Sequence, residues 1–490
     1  MVSVLRVAGI ALVAGALALV ALATGGQRAG GEAALNEEAR SILQELVELD
    51  TSGQNGTTRA AQAMAARFRA EGFPPGDIHL VGPADHKQNL VVRLRGSGRA
   101  RPLLLLAHLD VVEARREDWS VDPFTLLERG GYYYGRGTTD MKDMAAAWVV
   151  ALLEMKRRGL VPDRDVILAL TADEEGGDAN GVDWLVRHRR HLIDAEFCLT
   201  EGGGGQMHDG RNVVYRVQAA EKVYLSFRLE ARDAGGHSAL PRPGNPIYRL
   251  AAALERSSRL EFPARLNEIT TAFFRRMAAV EGGAIGRDME LITGGDPAPD
   301  ALRRLSRLPY YNALIRTTCV ATRVEAGHAE NALPQSATAV VNCRLLPGDV
   351  PGDVEGRLVE AVADPEVVVS MIGEADSGPV SPLAPEVMGP IEQVAGEMWP
   401  GVPVVPVMEA GATDGRILRR AGIPTYGLGA FQPVEDDRAH GRDERIGVRQ
   451  FREERQFLAR LVTRLSEAPS RPRPSRPATE PTRPSTPERQ

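Results

Sequence analysis

Apolar positions along residues 35–200 fall into two alternating periods, and the alternation predicts a layered α/β sheet. Leu35, Ile42, Leu43, Leu46, Val47 and Leu49 follow the helical period, and Thr58 to Glu71 is a second, alanine-rich helix. Asn89 to Leu94 alternates apolar and polar positions, as an edge strand does. Pro102 to Ala107 is continuously apolar, the signature of a central strand buried on both faces. A helix rich in Ala and Leu follows over about Met141 to Arg157, and Val166 to Ala172 and Ala195 to Thr200 are further buried strands. Strands alternating with helices imply a mostly parallel sheet.

From about Ala220 the pattern changes. Val223 to Glu230, Thr317 to Val324, Ala337 to Leu345 and Val367 to Ile372 read as strands, and helices are expected over Asn245 to Leu260 and Val354 to Ala363. Two helices on a small antiparallel sheet suit an inserted α+β domain. The α/β pattern resumes near Leu383 and closes with a helix ending about Leu465. The expected organisation is a catalytic domain over 35–218 and 375–465, interrupted by a smaller unit over 219–374. Within that insert, 261–311 is an additional, partly helical segment.

The ends of the chain differ from its body. Val7 to Ala23 is an apolar run after one positive charge, and Ala21-Leu22-Ala23 offers a small-x-small cleavage site. Residues 1–30 therefore read as an export signal, with an uncleaved membrane anchor as the alternative, since a span needs about 20 residues. Either places the body outside the cytoplasm, periplasmic or secreted. Ser466 to Gln490 has no aromatic or large apolar residue and reads as a solvated Pro/Arg-rich tail.

Composition adds little beyond exclusions. The 43% hydrophobic and 25% charged residues are those of a soluble globular protein, and a net charge of −6 gives no reason to expect nucleic-acid binding. Cys198, Cys319 and Cys343 are an odd number without CxxC spacing, so disulfide and zinc-finger frameworks are not expected. Cys198 and Cys343 lie in apolar runs, where a buried inert thiol is the expected role.

Chemistry concentrates where apolar runs end. His108-Leu109-Asp110, Asp173-Glu174-Glu175 and Glu201 each follow such a run, and in parallel sheets ligands gather at the carboxyl ends of strands. Asp140 ends Gly135-Arg136-Gly137-Thr138-Thr139-Asp140 at the start of a helix, and His440 lies far downstream in Arg438-Ala439-His440-Gly441. Imidazole with carboxylate is ligand chemistry for zinc and similar ions, which predicts metal-assisted hydrolysis. His108 is expected to bind metal, with the Asp110 carboxylate accepting its second ring N–H. Asp140 could span two ions. Of the adjacent Glu174 and Glu175, one could bind metal and the other take a proton from water; spacing does not say which. The Gly202 to Gly205 run lacks the lysine of a P-loop, and no HExxH or GxSxG motif occurs.

These residues resemble the M20 metallopeptidase family over about Leu35 to Leu465. The resemblance rests on the motifs above together with Gly235-Gly236-His237-Ser238, Asn331-Ala332-Leu333-Pro334 and His440-Gly441. The segment after Leu260, Arg316-Thr317-Thr318 and Gly411-Ala412-Thr413-Asp414-Gly415-Arg416 look most like the branch of carboxypeptidase S and PM20D1. The resemblance implies two Zn²⁺ ions, with cobalt or manganese as substitutes. Asp140 would join them, His108 and Glu201 would hold one, and Glu175 and His440 the other. Glu174 would be the general base and Asp110 would orient His108. The insert would be a lid domain, through which relatives also form homodimers. His237 would stabilise the oxyanion, while Asn331 and Arg344 would hold the substrate's carboxylate. The implied substrates are small peptides or N-acyl amino acids with a free carboxylate. Two other readings are a reversible N-fatty-acyl amino acid synthase, and a non-catalytic binding protein on the same fold.

Overall fold

A computed structural model of the chain describes residues 30–294, 298–375 and 377–467. The expected export segment and nearly all of the Pro/Arg-rich tail lie outside these residues.

The large sheet has ten strands and is mostly parallel around its centre. Leu103–His108 pairs in parallel with Val166–Thr171 on one side and Phe197–Thr200 on the other. All three strands are fully buried. Side chains of a strand alternate between faces. Leu103, Leu105 and Ala107 accordingly enter the main core, while Leu104 and Leu106 enter a second core on the opposite face. The main core is roofed by the first helix, residues 30–48, by Lys142–Arg157 and by the closing helix Val448–Ser466. The sheet is the α/β layer that the apolar runs predicted.

Asn89–Leu94 is not an edge. It lies within the strand Lys87–Leu94, between Val166–Thr171 and an edge strand Ile78–Ala84. Gly82 and Pro83 interrupt the apolar pattern of that edge strand, which conceals it in the sequence.

A second, antiparallel sheet orders Thr318–Ala326, Ser336–Leu345, Val223–Arg232 and Val367–Ile372. The helices Pro246–Ser257 and Pro351–Val362 cover one face and close a separate apolar core that includes Phe227, Leu250, Val341 and Leu358. Asn245 caps the first of these helices by accepting from the Ile247 amide at 2.9 Å.

Two expectations change here. The segment 261–311, grouped above with the insert, sends Ile269, Phe273, Phe274, Met289 and Leu305 into the core of the large sheet. Its helix Glu268–Glu281 carries an apolar stripe whose partner is the distant strand Val404–Glu409, a pairing no local pattern reveals. Cys319 and Cys343 form a disulfide, because the register of neighbouring strands sets them opposite one another with Cα atoms 4.0 Å apart. Cys343 is therefore not an inert thiol. Cys198 is free and buried, and burial pushes its thiol well above the ordinary range.

Candidate active site

The carboxyl edge of the large sheet gathers the residues that end the apolar runs. His108 is the last residue of its strand, Glu174 and Glu175 follow Val166–Thr171, and Glu201 follows Phe197–Thr200. Asp140 stands just before the helix Lys142–Arg157, joined to Met141 by a cis peptide. His440 comes from a loop near the chain's end with φ 61°, in the left-handed region.

These segments meet on Asp140. Its Oδ1 lies 3.0 Å from His108 Nε2, and its Oδ2 lies 3.0 Å from His440 Nε2. Glu201 Oε1 is 3.6 Å from the same His108 nitrogen, and Glu175 Oε2 is 2.9 Å from that of His440. Two clusters result, His108 with Asp140 and Glu201, and Asp140 with Glu175 and His440, each with ligand atoms within 4.8 Å of one another. Of the candidate ligands, none is left out.

The electrostatics explain what such a cluster needs. Burial and neighbouring carboxylates push Glu201 up, and burial with the Asp140 charge pushes Glu175 to about 7. Burial opposes the His108 imidazolium, but the Glu201 charge and the bond with Asp140 outweigh it and raise this imidazole well above its ordinary value. His440 rises to about 9 through its bond with Asp140. Protons thus compensate the crowded carboxylates. Divalent cations would do the same with the protons released. Nitrogen and carboxylate donors at this spacing suit zinc, and cobalt or manganese accept them too.

Glu174 belongs to neither cluster. Burial, then the charges of Glu201 and Asp414, push its carboxyl well above the carboxylate range. Asp110 contacts His108 through its backbone: Nδ1 lies 2.9 Å from the Asp110 carbonyl and 3.7 Å from its Oδ1. Its other oxygen, Oδ2, accepts from the Glu175 amide at 3.0 Å.

The three remaining candidates divide. His237 pairs with Ala332, its Nδ1 accepts from the Ala239 amide at 3.0 Å, and Asn331 accepts from Ser238 alongside. Both are exposed. Arg344 sits opposite Tyr224 near the large sheet, with its guanidinium 4.7 Å over that ring and Nη1 3.4 Å from the Ala410 carbonyl. His237 lies beyond Arg232 and Ser336, at the other end of the same two strands. Eight residues at about 3.3 Å each separate the two ends by roughly 25 Å.

Asp414 also borders the site, although no apolar run ends at it. Its Oδ1 accepts from Asn180 at 2.7 Å, its Oδ2 is buried without a partner, and its charge acts on Glu174. Only its place in the Gly411 to Arg416 motif hinted at it.

A mostly parallel sheet presenting paired imidazole–carboxylate clusters, with a spare carboxyl beside them, defines a metallohydrolase. The family profile described as Peptidase family M20/M25/M40 matches residues 104–464, and the chain belongs to that family. Among curated relatives it is 31% identical to the Homo sapiens "N-fatty-acyl-amino acid synthase/hydrolase PM20D1" over 374 residues, 74% of each chain. It is 27% identical to a "Probable carboxypeptidase S-like 2" of Dictyostelium discoideum, over 74% of this chain and 71% of the relative. Among solved structures, the Sulfolobus solfataricus M20 metallo-carboxypeptidase Sso-CP2 shares the fold with a TM-score of 0.63 at 19% identity, covering 88% of this chain and 99% of its own. Human carnosine dipeptidase 1 does so with a TM-score of 0.60 at 14% identity, covering 89% and 98%.

Proposed function

We propose that the protein is an exported dinuclear metal amidohydrolase that cleaves small peptides or N-acyl amino acids bearing a free carboxylate. The observation that carries this reading is the Asp140 carboxylate, held between His108 Nε2 and His440 Nε2 at 3.0 Å each. In this reading His108, Asp140 and Glu201 hold one ion and Asp140, Glu175 and His440 the other, with zinc as the resident metal. Ions bound there supply Lewis acidity to the scissile carbonyl and lower the pKa of water.

Glu174 takes the proton of the attacking water and passes it to the leaving nitrogen. Asp110 orients the ligands on either side of it. Arg344, which has no acidic partner among the described residues, pairs with the substrate's carboxylate as a planar fork. His237 cannot share one substrate with Arg344 of its own chain across roughly 25 Å of strand. The second sheet therefore acts as a lid that brings His237 to the site of a second copy in a homodimer, with Asn331 beside it. Export agrees with the Cys319–Cys343 disulfide, since such bonds persist in oxidising compartments. No helix among the described residues is long and apolar enough to cross a membrane.

The likeness to PM20D1 favours a second use of the site, condensation of a fatty acid with an amino acid, because one transition state serves both directions. The test of the main reading is a panel of dipeptides, N-acyl amino acids and N-succinyl compounds, each beside its carboxamide. Turnover of free-carboxylate members is expected. Failure of the metal-loaded protein to cleave any member would overturn it. Oleate with free amino acids, followed for product, tests the synthetic direction.

A further inference from the structure

His108 ends a strand and Glu201 follows one directly, and the Glu175 amide donates to Asp110 Oδ2 at 3.0 Å. His440 does not share that support. It is half-exposed, at 54%, on a loop with left-handed backbone, a conformation that persists in a non-glycine residue only where its surroundings impose it.

The surroundings consist of a reciprocal tie between two loops. Glu444, fully buried, accepts from Arg136 Nη1 at 2.6 Å and the Gly137 amide at 3.1 Å through one oxygen. Through the other it accepts from the Thr139 amide at 2.8 Å and the Thr139 hydroxyl at 3.0 Å. Glu444 thereby holds the backbone that presents Asp140. Arg136, in return, donates Nη2 to the Gly441 carbonyl at 3.1 Å and the His440 carbonyl at 3.4 Å. Its guanidinium lies 5.0 Å over the Trp119 ring, which fixes its plane. Each residue of this buried ion pair thus holds the other's loop.

We infer that Arg136 and Glu444 are positioning residues that set the affinity of the second metal site, formed by Asp140, Glu175 and His440, while the first site depends on them far less. The inference rests on the dinuclear reading above. Strand ends hold His108 and Glu201 whether or not the tie is intact, so the first site feels the tie only through the shared Asp140, whereas the second depends on it for both Asp140 and His440, whose loop carbonyls Arg136 grips. The fork geometry is essential: one guanidinium reaches the carboxylate and both carbonyls, and an ammonium at that position cannot.

The experiment titrates the metal-free full-length protein with Zn²⁺ against a competing chelator, measures bound zinc, and follows folding by circular dichroism. Wild type is expected to take two Zn²⁺ per chain; one or none would defeat the dinuclear reading itself. Arg136→Lys, which keeps the charge beside Glu444, is expected to retain the first ion and bind the second about 10–100-fold more weakly. If wild type takes two and the variant binds both unchanged, or weakens both equally, the inference is overturned. Should Arg136→Lys fail to fold, Glu444→Gln decides by the same criterion. Its amide keeps an acceptor for Thr139 but turns a donor toward Arg136.

Discussion

The ring of His108 is held by the backbone of Asp110 rather than by its carboxylate, with Nδ1 2.9 Å from the carbonyl oxygen and 3.7 Å from Oδ1. With the Nδ1 proton given to this carbonyl, the neutral ring that a metal would require keeps its lone pair on Nε2, on the Asp140 side. The freed carboxylate reaches across to the Glu175 amide at 3.0 Å. Asp110 therefore serves both proposed metal positions by different atoms. Asp110→Ala should leave the orientation of His108 intact and lose the restraint on Glu175. Metal affinity or activity should fall about 10–100-fold. Zinc titration with kcat/KM checks this, and wild-type values for both would remove any role for the carboxylate.

Glu174 is a member of neither cluster, so its removal should separate chemistry from metal binding. Glu174→Ala is expected to keep its bound metal while amide hydrolysis drops by about 10²–10⁴-fold, the usual worth of a general base. Metal content and kcat measured on one preparation decide it. Loss of both together would place Glu174 among the ligands.

What the sequence made legible follows from locality. Leu103–His108 announced itself because a strand buried on both faces must be apolar throughout, and a polar residue ending such a run can only face the sheet edge. His108, Glu174, Glu175 and Glu201 were readable for that reason. Arg136 and Glu444 were not, since the bond that gives them meaning joins positions 308 residues apart. The Cys319–Cys343 bond likewise depends on strand register, and the partner of Phe273 and Phe274 is a core built from other parts of the chain. Spacing leaves Glu174 and Glu175 interchangeable and only the resemblance tells them apart; their surroundings differ in that Glu175 meets His440 and Glu174 meets the charge of Asp414.

Arg344 is half-buried over Tyr224 and meets a single weak carbonyl acceptor among the described residues. Arg344→Ala should raise KM for free-carboxylate substrates about 10–100-fold, the worth of a hydrogen-bonded charge. The corresponding carboxamides should change little. Equal losses on both members of a substrate pair would mean that Arg344 shapes the fold and does not read the carboxylate.

The disulfide ties the edge strand Thr318–Ala326 to Ser336–Leu345 across a separation of 24 residues. Closing a loop of that size stabilises by about 3 kcal/mol in the chain-entropy account. A Cys319→Ser, Cys343→Ser double variant should unfold at lower temperature than wild type, and reducing agent should lower only the wild type's transition. Calorimetry with and without reductant tests this, and a wild-type transition indifferent to reductant would argue that the bond contributes nothing.

Beneath the site, Asp143 and Glu454 bring two buried carboxyls together between the helix that follows Asp140 and the closing helix. Neither oxygen of Glu454 has a hydrogen-bond partner, and neither residue has a basic partner among the described residues. Burial, helped by the charges of Glu444 and Asp140, pushes Asp143 to about 8, and burial with the Asp143 charge pushes Glu454 well above its ordinary range. In the unfolded chain each titrates near 4. Between about pH 4 and 8 the folded state therefore binds more protons than the unfolded one, and stability must fall as pH rises through that window. Glu454→Gln removes one of the two charges while keeping the volume. The variant should melt at a temperature that varies less between pH 5 and 8 than wild type does, and its advantage should be greatest at the upper end. Melting curves across that range test the sign directly: parallel pH dependences for the two proteins would show that the pair is not where the protons are held.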